Sequence, residues 1–146
     1  MKKAIIIALM MIATVQPDFY LHEELAKSKF IKENNLEYVR VTCYLPTGFN
    51  CADGTPPYEG VISSNKQHLG MDAILYDENL IPFARMQCRD IGGHEDLVNG
   101  SAIDVFRLDI NRAWDYINEH SNHCYVKWVE RDWVEDGEEF HRYILE

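Results

Sequence analysis

The chain is short of positive charge. Its 146 residues hold 14 Lys and Arg against 24 Asp and Glu, a formal charge of −10 with a pI near 5.0. A nucleic-acid binder needs a basic stripe to neutralise phosphates, so that class is excluded. The same imbalance disfavours docking on anionic lipid head groups. The sequence also lacks an apolar run of the roughly 20 residues that span a bilayer, so stable membrane insertion is not expected. No C-x-x-C occurs, which argues against a zinc ribbon or a thioredoxin-type redox site. No internal repeat or low-complexity segment is visible, and nothing calls for a metal or a cofactor.

What is there suits one compact domain. Hydrophobic residues make up 47% and aromatic residues 12%, enough to build a core. At about 100–200 residues per domain, the length leaves little for a second. Residues 1–16 open with Lys2 and Lys3, followed by an apolar run from Ala4 to Val15 broken by Thr14. That is the form of a secretory signal, although no A-x-A pattern follows; the alternative is a buried strand or helix. An exported, extracytoplasmic or cell-wall protein is expected, against the alternative of a cytoplasmic phage-encoded one. Four cysteines (Cys43, Cys51, Cys88, Cys124) fit either two disulfides, with three possible pairings, or four reduced thiols.

Residues 17–36 are polar with scattered apolar positions (Leu21, Leu25, Phe30, Ile31), a linker or short amphipathic helix ahead of a domain at 37–146. From Glu37 the period becomes two: Val39, Val41 and Cys43 alternate with Tyr38, Arg40, Thr42 and Tyr44, a strand closed by Pro46 and Gly48. A turn-rich loop (47–60) precedes a short strand at Val61–Ser64. Stretches 71–76 and 80–90, parted by Asp77-Glu78-Asn79, predict a hairpin, and Ile103–Phe106 another strand. Asp109 is a candidate N-cap for a helix whose Ile110, Ala113, Trp114 and Ile117 share one face, which predicts core packing for Trp114. Tyr125–Glu130 predicts a strand, and Asp136-Gly137 a terminal hairpin between 133–135 and 140–143. Many short strands with one well-formed helix predict a mainly β protein, a small barrel with one or two short helices and a C-terminal hairpin.

The chemistry concentrates between Asp90 and Asp104. Asp104 is flanked by Ala102, Ile103, Val105 and Phe106, an apolar strand where an ionised carboxylate is costly without partners. Burial and a neighbouring carboxylate both raise an acid's pKa, giving a protonated acid near neutral pH. Such a group can protonate a leaving oxygen and then accept a proton, as glycosidic cleavage requires. The structural alternative is that Asp104 bonds loop amides while Asp90 caps the Gly92-Gly93 turn.

The segments VTCYLP (41–46), ADG (52–54), GVISSN (60–65), LG (69–70), RDIGG (89–93), NGSAIDVF (99–106) and RAWDYI (112–117) together resemble the 3D domain. That family is named for three aspartates and is related to the catalytic domain of MltA-type lytic transglycosylases. The resemblance implies a double-psi β-barrel that cleaves peptidoglycan glycan strands between N-acetylmuramic acid and N-acetylglucosamine, leaving a 1,6-anhydro product. It places the acid/base on Asp104 and the second aspartate on Asp90. Asn65 stands where the family has its first aspartate; it can hydrogen-bond but cannot be ionised. Asp72 lies nearby in sequence as a stand-in. Thr42, Tyr44 and Asn65 are the candidate glycan contacts, Tyr44 being equally readable as half-buried on its strand. A non-catalytic glycan-binding or phage-associated barrel is the second class to keep open, and a monomer is expected.

Three weaker clusters complete the reading. His120, His123 and Cys124 are good zinc ligands in type but have no matching second half, so a solvated turn is expected. His94 beside Glu95 and Asp96 is either an active-site rim or, as favoured, plain surface. Trp128 and Trp133 are expected to pack rather than stack on sugars.

Overall fold

The computed structural model describes residues 19–131. The chain divides into a unit that ends at Asn35 and one that begins at Leu36. In the first, residues 19–33 form helix α1, with Lys29 and Glu33 paired one turn apart at 3.7 Å. The expected export segment at 1–16, Trp133 and the expected hairpin at 133–143 lie outside the described residues. Among the described residues no helix is long and apolar enough to cross a membrane.

The second unit is mainly β. Its strands are β1 (Glu37–Tyr44), β2 (Val61–Ser64), β3 (Met71–Tyr76), β4 (Pro82–Ile91), β5 (Ala102–Phe106) and β6 (His123–Glu130), joined by helices α2 (Glu95–Val98) and α3 (Ile110–His120). They close a barrel in the order β1-β5-β2-β4-β3-β6. The pairs β1/β5 and β2/β4 are parallel and the other neighbours antiparallel. Period-two alternation sends Val39, Val41, Ile62, Ile103, Val105 and Val126 into the barrel core. Burying each such side chain stabilises by about 1.5–3 kcal/mol. On the opposite face, Cys51, Val61 and Phe106 cluster with Tyr44 and Tyr58, so the 47–60 loop covers one end of β1, β5 and β2. The β3–β4 hairpin turns where expected: the Asp77 carboxylate accepts from the backbone N–H of Asn79 and Ile81, both at 2.9 Å.

Two expectations need correction, and one left open is decided. Asp109 does cap α3, accepting from Arg112 N–H at 2.9 Å, but the helix buries Ala113 and Tyr116 rather than Trp114. Trp114 is 61% exposed and Ile110 54%. The Arg107 guanidinium, 4.0 Å from the Tyr116 ring centre, helps to turn that ring inward. His120, His123 and Cys124 do not form a solvated turn: His120 stacks on Phe83 with centroids 4.5 Å apart, and Cys124 is buried at the start of β6. All four cysteines are free thiols. Burial pushes the Cys43 thiol up to about 11 and those of Cys88 and Cys124 up to about 12, which makes them poor nucleophiles. Trp128 packs against the core as expected and stacks on His68.

Candidate active site

Strand register builds the site. Thr42 on β1 stands opposite Asp104 on β5, Asp104 opposite Ser63 on β2, and Ser63 opposite Asp90 on β4. Cross-strand partners leave the same face of a sheet. The core side chains Val41, Ile103 and Val105 alternate with Thr42 and Asp104, so this row points away from the barrel interior. The row holds at Asp90 through a register shift between Ile62 and Ser63, which skips Arg89. Arg89 turns instead to Gln87 (2.6 Å), Tyr58 (3.2 Å) and Asp53 (3.0 Å).

Asp104 is half-buried, and burial raises its carboxyl above the ordinary aspartate range. The Thr42 hydroxyl, which donates to its Oδ1 at 2.9 Å, and the Arg40 charge act against that rise, whereas Asp90 adds to it. The carboxyl is not sealed in. It lines a cavity of about 240 Å³ with Arg40, Thr42, His94 and Leu97. Helix α2 forms one side of this space: His94 caps the helix by accepting from Asp96 N–H at 3.3 Å, and Asp96 pairs with Arg40. A half-buried acid that lines an open cavity, whose proton is held more tightly than usual and with a hydroxyl fixing one oxygen, is equipped to donate a proton to a bound ether oxygen and take one back.

The other expected site residues divide. Thr42 joins Asp104 directly. Asp90 shares its row, but its Oδ1 accepts from Ala52 N–H (3.0 Å) and Ile91 N–H (2.9 Å), tying down the 47–60 loop rather than the Gly92-Gly93 turn. Tyr44 is half-buried with a hydroxyl that has no hydrogen-bond partner among the described residues. Burial, and after it the charge of Asp90, pushes its phenol well above the ordinary value, so it stays protonated, close to the carboxylate without a bond of ordinary geometry. Asn65 does not line the Asp104 cavity. Its Oδ1 accepts from His68 N–H at 3.1 Å, and it borders a separate cavity of about 350 Å³ with Gly92 and Asn99. Asp72 cannot stand in for a missing aspartate: it is 0% exposed on β3 and held by Arg85 (3.0 Å) and Arg131 (3.2 Å).

Arg40, Ser63 and His94 are the residues that sequence reasoning left out or set aside. Arg40 carried a signal, since it alternates with Val41 exactly as Thr42 does two positions on. His94, favoured as plain surface, is exposed at the rim of the Asp104 cavity. Ser63 lies between the two aspartates only because of strand pairings that no local pattern reveals. Among the described residues, no group of three or more His, Cys, Asp or Glu is placed to hold a metal ion. No family model, curated protein or solved structure matches the chain.

Proposed function

We infer that the barrel is a peptidoglycan lytic transglycosylase domain with Asp104 as acid/base. The observation that carries this reading is a carboxyl of raised pKa, bonded by Thr42, in an open cavity on the outer face. The resemblance to the 3D domain supports it and supplies the substrate class, and the two parallel pairs within a six-strand barrel support a double-psi connectivity. In the reaction, protonated Asp104 gives its proton to the glycosidic oxygen as the bond from the muramic acid anomeric carbon breaks. The Asp104 carboxylate then takes the proton of that sugar's C6 hydroxyl as its oxygen closes the 1,6-anhydro ring. Protons balance, and no water is consumed. The negative charge of Asp90 favours the protonated starting form. An N-terminal export segment would deliver the domain to this substrate.

Incubation of the purified chain with peptidoglycan, followed by mass spectrometry of the muropeptides, tests the reading. Anhydro products are expected, and Asp104→Asn lowers their rate by at least roughly a hundredfold, the usual worth of a general acid. No anhydro products from the native chain would sink the enzyme. A non-catalytic glycan-binding barrel is the second reading, favoured by the commitment of Asn65 and Asp90 to backbone amides.

A further inference from the structure

The face of α3 that the periodicity assigns to the core is open at its N-terminal end. Ile110, Ala113, Trp114 and Ile117 all line a cavity of about 310 Å³ whose other wall is β1. Three residues of that wall, Arg40, Thr42 and Cys43, also line the cavity that contains Asp104. The two spaces therefore share a wall on β1, with the acid lining one and an exposed indole lining the other. An indole left in water forgoes the large gain of burial, and ligand sites are typically apolar hollows with a few placed polar groups. Here the polar groups are Arg40, Thr42 and Asn122.

We propose that the groove between α3 and β1 is a second subsite of the Asp104 cleft, which holds an N-acetylhexosamine ring of the glycan strand against Trp114. The inference rests on the glycan reading of Asp104. A pyranose presents one face of C–H groups and an edge of hydroxyls and acetamide. Its C–H face packs on the indole, and the acetamide methyl enters the apolar hollow beside Ala113 and Ile117. Its oxygens accept from the Asn122 amide and the Arg40 guanidinium. A strand running from Asp104 across β1 to Trp114 thus has a proton donor at one ring and a stacking platform at the next. The pairing of Arg40 with Asp96 keeps the guanidinium at the boundary of the two spaces.

The test is an NMR titration of the full chain with the tetramer of N-acetylglucosamine, following the indole N–H signals, with Trp114 assigned by Trp114→Phe. The Trp114 signal is expected to move saturably. Trp114→Ala is expected to weaken binding by at least roughly tenfold, as loss of a central aromatic anchor does, while Trp114→Phe keeps most of the affinity. Because the indole is exposed, both variants should keep the native circular dichroism and Tm. Saturable binding that leaves the Trp114 signal in place overturns the subsite, as does the absence of any binding. A Trp114 signal that moves with protein concentration before sugar is added also overturns it, by assigning the face to a second copy. The muropeptide assay separates the two ideas. Trp114-dependent binding without anhydro products keeps the subsite and removes the enzyme; anhydro products with an unchanged KM in Trp114→Ala do the reverse.

Discussion

Asp104 costs the fold stability when it is ionised, and the proposed reaction begins from its protonated form. Its folded-state carboxyl is raised above the ordinary 3.8, so the protonated form is the better accommodated one. Stability from that proton is complete below the unfolded-state pKa and is lost as pH rises through the folded-state value. Asp104→Asn removes the ionised form while leaving an oxygen for Thr42 to donate to. Calorimetry should find the variant more stable than the native chain at pH 7, on the order of 1 kcal/mol, with the difference shrinking towards pH 4. A variant less stable at pH 7 would show that the carboxylate is structural. Thr42→Val acts on the same atom in the other direction. The Thr42 bond opposes the rise in pKa, so its loss moves the alkaline limb of the pH–rate profile to higher pH and costs about 1 kcal/mol of stability. An unmoved limb would mean that Asp104 does not carry the rate-determining proton.

At the scale of elements, the placement of α2 decides the shape of the cleft, and Gly92 decides the placement of α2. A Cβ at Gly92 would stand 2.0 Å from Leu97 Cδ1 and 2.9 Å from Leu97 Cβ, and Leu97 is the buried residue of that helix. The δ-methyl can rotate away, but the β-carbon is fixed to the backbone, so α2 must move and take His94 and Asp96 with it. Gly92→Ala should therefore cost about 1–3 kcal/mol in urea unfolding and raise KM as well. An unchanged KM would mean that substrate does not use the α2 side of the cavity. On the other side of the barrel, Asp72→Ala leaves Arg85 and Arg131 without their shared carboxylate, and about 3 kcal/mol should be lost in the same assay. Elements of this kind were legible where the signal is local. The alternation at 37–44, the hairpin turn at 77–79 and the Asp109 cap all involve residues a few positions apart. The contacts that make the site join β1 to β5 and β2 to β4, which period-two patterning does not pair. For α3 the pattern was right only in part: Ala113 and Ile117 of its stripe pack inward, but the core takes Tyr116 in place of Trp114 and Ile110, because spacing shows which residues share a side and not how the helix is rotated on the barrel.

For the whole molecule, the net charge of −10 acts with the described arginines already committed. Every arginine among the described residues is engaged by a carboxylate: Arg40 by Asp96, Arg85 and Arg131 by Asp72, Arg89 by Asp53, and Arg107 and Arg112 by Glu59. These pairs brace loops and strands at short range and leave little positive potential to reach into solvent. A cell wall rich in anionic polymers would repel such a surface, so attraction cannot come from the long-range field. On the proposed glycan reading it comes from sugar contacts made after the strand has entered the groove, and those are indifferent to screening. Going from about 0.01 M to 1 M salt shortens the Debye length from about 30 Å to about 3 Å and removes most of the repulsion. Sedimentation binding to purified peptidoglycan should accordingly hold steady or tighten by a few-fold over that range. Binding that instead fell steeply with salt would require a basic surface that the described residues do not form, and would shift the search for the glycan contact away from the Asp104 face.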